Sequence, residues 1–376
     1  MKFDILSEYC FVNMGQSPAS ETYNNNADGL PFYQGNADFG EIHPQTRIWC
    51  SAPVKIANKG DLLISVRAPI GALNIATEQC CIGRGLAALT PKLDKCRIKY
   101  IYFAIQSQIN FLIANGTGST FKAVNKNTLE NLLIPVSSLN KQDEIVKILE
   151  KVNNIINKRK AQLLLLDNIV KSRFIEQIGT IKDTKFKITE LESLCEFIKD
   201  GTHQTPTYTD DKIHGFKFLS SKDVTTRKIS WDKVKYITPD LHKQLYSVIA
   251  PKRGDILLAK NGTIGYAAVV DNDEIFDIYV SLALLRPKKE NDVYYLWAAI
   301  NNNETKAQFI SSLKGIGVPN LHLREIKKTK IIVPPIDIQR KFSGFITQTD
   351  KSKLEIQKSL DKLEILKKSL MQQYFG

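Results

Sequence analysis

The sequence predicts an α/β (α+β) fold in which two globular domains alternate with two long helices. The helices are expected to close into an antiparallel coiled coil, giving a pseudo-twofold internal repeat. Three observations predict this. A repeat runs through the helical segments at a constant offset of 197 positions. Both helical segments space their apolar residues alternately by three and four. A strand–turn core is written twice.

Taken in order, the chain reads as a globular domain over 1–133, a helical region over 134–180, a second globular domain over 181–332 and a second helical region over 333–376. The repeat pairs Ile134 with Ile331, Leu139 with Ile336, Gln142 with Gln339, Leu163 with Leu360, Ser172 with Ser369 and Gly179 with Gly376. In the first globular segment, Gly60-Asp61 opens a turn. The apolar run Leu62-Leu63-Ile64 follows as a buried strand, and Arg67 to Gly71 as a loop. Gly254-Asp255, Ile256-Leu257-Leu258 and Asn261 to Gly265 repeat the pattern at offset 194. Gly116 and Gly118 recur as Gly315 and Gly317. Loops therefore differ in length while the helices keep theirs, as expected of two related sites reading different targets.

The helical seams run Leu149, Val152, Ile156, Leu163, Leu166, Val170 and Phe342, Ile346, Ile356, Leu360, Leu363, Leu370, with Arg159, Thr349 and Lys353 as polar breaks. A helix from about Gln142 to Gln177 would be roughly 50 Å long. Two exposed seams of that length bury each other most economically as an antiparallel pair. The competing arrangement packs each helix on its own globular domain.

The chain has 376 residues and a formal net charge of +13. The four segments carry +2, +3, +5 and +3, so the excess is spread along the chain and suits a polyanion such as nucleic acid. No segment approaches a membrane span, and the first ten residues carry an acid and no apolar run, against a secretory signal. The six cysteines lack Cys-x-x-Cys spacing and the five histidines are scattered. This argues against zinc and for reduced thiols in a cytoplasm. No amino-methyltransferase motif and no nucleotide-binding Gly-rich loop is present. Pro239-Asp240 with Glu325-Ile-Lys327 imitates a nuclease pattern in fragments too short to specify one.

The chain resembles the specificity subunit of a type I restriction–modification system. The resemblance is carried by Pro-Pro-Ile-Asp-Ile-Gln339 and Ser-Ser-Leu-Asn-Lys-Gln142 at the helix entries, and by Lys-Ser-Arg-Phe174. The strands ending in Ser-Val-Arg67 and Leu-Ala-Lys260 and the loop Asp-Gly-Thr-His-Gln-Thr-Pro206 add to it. It implies two target recognition domains that read the halves of a split double-stranded DNA sequence, with the coiled coil setting the spacer. It also implies no catalysis in this chain and no cofactor of its own. Two methyltransferase subunits would carry S-adenosylmethionine, and motor and nuclease subunits would join for restriction. One departure stands out: Ser137-Ser138 occupies the place of Pro334-Pro335, which puts identical docking of the two helix entries in question.

Base reading needs side chains with paired donors and acceptors. Arg67 is the first candidate, with Asn261 and the adjacent Lys260 as its counterparts. Gln16, Ser17, Tyr33, Gln34 and Asn36 in the first domain, and Thr202, His203, Gln204 and Thr205 in the second, are further candidates, with ordinary turn chemistry as the alternative. Lys122 and Lys126, and Asn320, His322 and Arg324, follow the glycine pairs and are candidates for phosphate or base contacts. The rival readings are a coiled-coil adaptor bridging protein partners, a methyltransferase or nuclease in its own right, and an RNA-binding protein.

Overall fold

The computed structural model describes residues 2–116, 122–313 and 319–376. The chain forms two units, Met1–Ala161 with Gln357–Gly376, and Gln162–Ile356.

In the first unit, four antiparallel strands lie in the order Cys10–Met14, Leu86–Pro91, Leu62–Ser65, Leu73–Ile75. The central Leu62-Leu63-Ile64 run is buried on both faces, and period two explains how. Leu62 and Ile64 join a core with Tyr100, Ile101 and Ala104 of the helix Ile98–Ser107. Leu63 points the other way, to Tyr33, Ala57, Cys80 and Ile82. A smaller five-stranded sheet covers that second face, with Leu30–Tyr33 and Cys80–Ile82 running parallel at its centre. Each fully buried Leu or Ile contributes about 1.5–3 kcal/mol relative to exposure.

The second unit repeats this scaffold. Its four strands lie in the order Cys195–Asp200, Leu282–Pro287, Ile256–Ala259, Ala267–Val269. Ile256 and Leu258 enter one core, Leu257 and Ala259 the other. The second sheet here has four strands, again with a parallel pair, Phe216–Leu219 with Phe276–Ile278. The first unit pairs Ile56–Ala57 with Cys80–Ile82 as an extra edge strand. The second unit instead has the helix Pro239–Val248, packed against Phe276–Ile278.

The two long helices run over Leu139–Ile178 and Ile336–Phe375, 40 residues each and so about 60 Å, longer than the sequence reading gave. Gly179, at φ 89°, ends the first in the left-handed region that glycine enters freely. Each helix contributes one part to each unit, and in both units the two parts run antiparallel. In the first unit Ile145, Val146 and Leu149 share a core with Phe375, and Leu370, Met371 and Tyr374 pack on it. In the second, Phe174 and Ile178 share a core with Phe342 and Ile346, with the Phe174 and Phe342 rings edge to face at 5.5 Å. The seams thus meet each other and also enter the globular cores, so the two arrangements weighed from sequence coexist. The polar breaks are accommodated. Thr349 Oγ1 donates to the Phe345 carbonyl at 2.8 Å, and Lys353 reaches Asp167.

Both helix entries are anchored by the repeated glutamine, and the serine-for-proline change leaves the geometry alone. Buried Gln142 accepts from the Arg97 N–H at 2.8 Å and donates to the Ser137 carbonyl at 2.9 Å. Buried Gln339 accepts from the Asp292 N–H at 2.9 Å and donates to the Pro334 carbonyl at 2.9 Å. The contact uses a backbone carbonyl that Ser and Pro both own, so the side chain at that position is free to differ.

Candidate nucleic-acid interface

In each unit the two strands flanking the sheet's long central strand run out into loops at the same end, and most predicted residues lie there. In the first unit, the Gly15 N–H donates to the Leu86 carbonyl at 2.9 Å and the Gln16 N–H to that of Ile82 at 3.0 Å. Beside them Val66 donates to Gly85 at 2.9 Å, and Arg67 bridges Ala123 across an antiparallel contact. Lys122 is thereby carried next to Arg67, and both are exposed. Ser17 Oγ accepts from the Arg84 N–H at 3.3 Å. Gln34 lies against the same loop, since a Cβ on Gly85 would meet its carbonyl oxygen at 2.2 Å. Gln16, Ser17, Gln34, Arg67 and Lys122 therefore form one cluster of loops.

Three first-unit candidates fall outside this cluster or behave differently. Tyr33 is 1% exposed and its hydroxyl pairs with Thr46 Oγ1 at 2.8 Å, so it supports the loop from inside. Its place on a strand buried on both faces, rather than in the turn after it, is the reason. Asn36 sits exposed in the single turn Asn36–Asp38, which Asp38 closes by accepting from the Gln34 N–H at 2.7 Å. Lys126 begins the short helix Lys126–Glu130 and pairs with Glu130 at 3.4 Å. Of the first glycine pair only Gly116 is described. Gly118, and Gly315 and Gly317 of the second pair, lie outside the described residues.

The second unit rebuilds the cluster with other side chains. Thr202 donates its N–H to Ile278 and accepts from Val280, while its Oγ1 accepts from the Gln204 N–H at 3.0 Å. His203, Gln204 and Thr205 are exposed in that loop. Asn261 bridges Asn320, as Arg67 bridges Ala123. His322 precedes and Arg324 lies within the short helix Leu323–Lys328, both exposed. Lys260 is not presented to a ligand. It is 4% exposed, with Nζ 2.8 Å from Asp200 Oδ1, and it serves as an internal ion pair. The partner lies 60 positions away, so the sequence alone gives no local sign of it.

Beneath the Thr202 loop a cavity of about 200 Å³ is lined by Asp200, Thr202, His203, Leu245, Asp277 and Ile278, among others. Asp277 is 2% exposed and pairs with His242 Nδ1 at 2.7 Å. Burial pushes the Asp277 carboxyl above its ordinary value, and His242 opposes this. The polar wall of this cavity is acidic, so it suits a hydrogen-bond donor rather than a phosphate.

Two cations in these loops escaped the sequence reading. Arg84 is exposed between Gly83 and Gly85, both held small by close approach to Phe32 and Gln34; the Gly-Arg-Gly triplet was the available signal. Lys222 is exposed in the turn Ser221–Val224, whose Ser221 N–H donates to Ser281 Oγ at 3.0 Å. Its only sequence signal is a lysine in a Ser-Ser-Lys-Asp turn. Among the described residues no group of three or more His, Cys, Asp or Glu is placed to hold a metal ion, and no helix is long and apolar enough to cross a membrane. The six cysteines are free and buried, and burial pushes the Cys80 and Cys195 thiols up to about 12.

Comparison with known proteins explains the doubled scaffold. The family model for the type I restriction modification DNA specificity domain matches residues 5–165 and 183–366. The chain belongs to the type I restriction–modification specificity subunit family. It is 41% identical over 157 residues to the putative type I restriction enzyme MjaX specificity subunit of Methanocaldococcus jannaschii, covering 41% of this chain and 36% of that relative. It is 20% identical over 410 aligned residues to the EcoBI specificity subunit of Escherichia coli, covering 97% of this chain and 83% of the relative. Among solved structures, the S subunit from M. genitalium is similar with a TM-score of 0.60 at 14% identity, covering 100% of this chain and 96% of that one. A chain from a study of type I assembly and conformational transition gives 0.64 at 16% identity, covering 100% and 97%. At those identities the likeness is one of fold.

Proposed function

We propose that this chain reads a split double-stranded DNA target, one half with each loop cluster, and that it does so without catalysis of its own. The observation that carries this is the matched pair of bridges, Arg67 with Ala123 and Asn261 with Asn320. One backbone arrangement presents an arginine in the first unit and an asparagine in the second. Arginine suits guanine O6 and N7, whereas asparagine suits adenine N6 and N7, so the two clusters would read different bases. Exposed Arg84, Lys122 and Lys222 would contact phosphates.

Two methyltransferase subunits, carrying S-adenosylmethionine, would act on the bound target, with restriction and translocase subunits completing the complex in a cytoplasmic setting. The first long helix offers a surface for such partners. Within the second unit Leu164, Leu165, Ile169 and Ile175 are 67%, 58%, 40% and 54% exposed. Four large apolar side chains along one stretch of helix favour protein contact over water. The length of the long helices would set the number of base pairs between the half-sites.

The test is selection by the full-length chain from a library of duplexes with randomised sequence. Two blocks of specified bases separated by a fixed unspecified spacer are expected. A continuous motif, or enrichment of RNA over duplex DNA in direct competition, would overturn the proposal. In the same assay Arg67→Ala should relax one block by about 1–3 kcal/mol. Lys122→Ala should weaken all sequences alike and lower the salt dependence by about one counterion.

A further inference from the structure

The ends of the two four-stranded sheets differ in one pair, of which the Lys260 side chain is buried and that of Asp200 is 19% exposed. Asp200 pairs in register with Ala283, as Met14 does with Ala87. The Lys260 N–H donates to the Ser281 carbonyl, as that of Val66 does to Gly85. Asp200 and Lys260 therefore occupy the places that Met14 and Val66 hold in the first unit. The same scaffold accepts an apolar pair there, and burying two charges is far more costly than burying a thioether and an isopropyl group. The ion pair is thus not needed to make the sheet end fold.

What the ion pair adds is direction. Asp200 Oδ1 takes the Lys260 ammonium at 2.8 Å, and Oδ2 faces His203 Nε2 at 3.6 Å. The Lys260 carbonyl accepts from the Leu321 N–H at 2.9 Å, as the Val66 carbonyl does from the Val124 N–H at 2.8 Å, so the backbone that seats Asn320 opposite Asn261 is common to both units. One carboxylate therefore ties the Thr202–Thr205 loop to the side chain of Lys260, the residue that precedes Asn261 and whose carbonyl holds the Asn320 segment. Asn261 Oδ1 and Asn320 Oδ1 are both buried without a hydrogen-bond partner among the described residues. A buried amide oxygen left unpaired is destabilising in the free chain, and the cost is relieved when the amide of either part-buried residue turns out to meet a donor.

We propose that Asp200, through Lys260, is a positioning residue for the second half-site: it aims the Asn261 and Asn320 amides at an amino-bearing base. This rests on the DNA-reading function proposed above. The exocyclic amine of adenine or cytosine supplies the donor those oxygens lack. The first unit, with Met14 and Val66 at the same places, orients its loop without a charge and reads through Arg67.

The test transplants the first unit's pair into the second. D200M/K260V removes one charge of each sign, so phosphate attraction should be unchanged. The full-length chain is run through the randomised duplex selection beside the wild type, with a melting curve for each. Affinity for random-sequence duplex should stay within about twofold. One block should keep its bases, and the other should lose about tenfold in selectivity. K260R, which keeps the ion pair, should retain both blocks. If the double variant fails to fold, the isosteric D200N, which raises the net charge by one and so strengthens binding to all duplexes alike, should still lose selectivity in the same single block. A folded variant that reads both blocks as the wild type does, or loses both together, overturns the positioning role. A wild type that enriches no sequence overturns the DNA-reading function itself.

Discussion

Gln142 and Gln339 enter the two long helices with the same hydrogen bonds, whereas Arg67 and Asn261, equally matched in backbone, carry unlike side chains. The two kinds of position differ in what they touch. At the helix entry every partner is a backbone group, and Tyr100 and Tyr295 follow the same logic. Their hydroxyls donate to the Pro135 carbonyl at 3.1 Å and the Ile332 carbonyl at 2.7 Å. Such contacts survive any change in neighbouring side chains, so the scaffold repeats. At the sheet ends the matched contacts are made by the backbone alone, so the side chains there are free to diverge. Repetition inside and divergence outside is what a frame carrying two readers requires.

The largest test of the shared interior concerns volume. At the 197 offset Ile145 corresponds to Phe342, and Ile178 to Phe375. The first unit's core thus holds Ile145 with Phe375, and the second holds Phe342 with Ile178. The large and small residues have changed places between the helices, and each core keeps one of each. Phe342→Ala should cost about 3–5 kcal/mol, because the ring packs on both Phe174 and Tyr295. The exchange F342I/I178F restores the first unit's arrangement and should cost under about 1.5 kcal/mol. Denaturant unfolding followed by the fluorescence of Trp231 and Trp297, both in the second unit, measures each. An exchange as damaging as the truncation would break the equivalence of the two cores.

The glutamines give a smaller effect and a sharper comparison. Gln142→Ala and Gln339→Ala each strand a part-buried N–H, of Arg97 or Asp292, at about 1–3 kcal/mol. Because the partners are backbone groups in both units, the two losses should agree within about 0.5 kcal/mol. Gln339 has less cover in one respect: Gln142 also donates to the Lys95 carbonyl at 3.1 Å. A larger loss at Gln142 would assign that extra bond a measurable share.

Much of this was legible in the sequence, and the reasons separate cleanly. The helices were readable because their apolar spacing is local and repeats without a gap. The central strands were readable because a short apolar run after Gly-Asp has few other fates. The match of Arg67 with Asn261 followed from the repeat itself. Tyr33 and Lys260 misled because their burial depends on distant partners, Thr46 through a loop and Asp200 through the sheet. The helix Pro239–Val248 has no counterpart among the described residues of the first unit, so the repeat was silent about it. Arg84 has no local mark beyond its flanking glycines, and its place beside Gln34 and Ser17 is set by distant parts of the chain.

The smallest expected effect lies on the paired helices, where the units use ion pairs of different exposure. In the first unit Lys160 meets Glu364 at 3.2 Å with side chains 55% and 53% exposed. In the second, Lys353 meets Asp167 with its own side chain only 25% exposed and the carboxylate 48% exposed. Water and salt screen the first pair almost completely, so Glu364→Gln should change stability by less than about 0.5 kcal/mol. Lys353 occupies a seam position and also lies 3.8 Å from Asp350. Its stem is covered by the partner helix, which lowers the local dielectric and holds the ammonium near two carboxylates. Lys353→Met keeps the stem and removes the charge, and should cost up to about 1 kcal/mol at low salt, falling toward zero as salt rises. A double-mutant cycle with Asp167→Asn, run at two salt concentrations, reads the coupling directly. A salt-independent loss would mean that Lys353 acts by filling the seam, and that its charge is incidental.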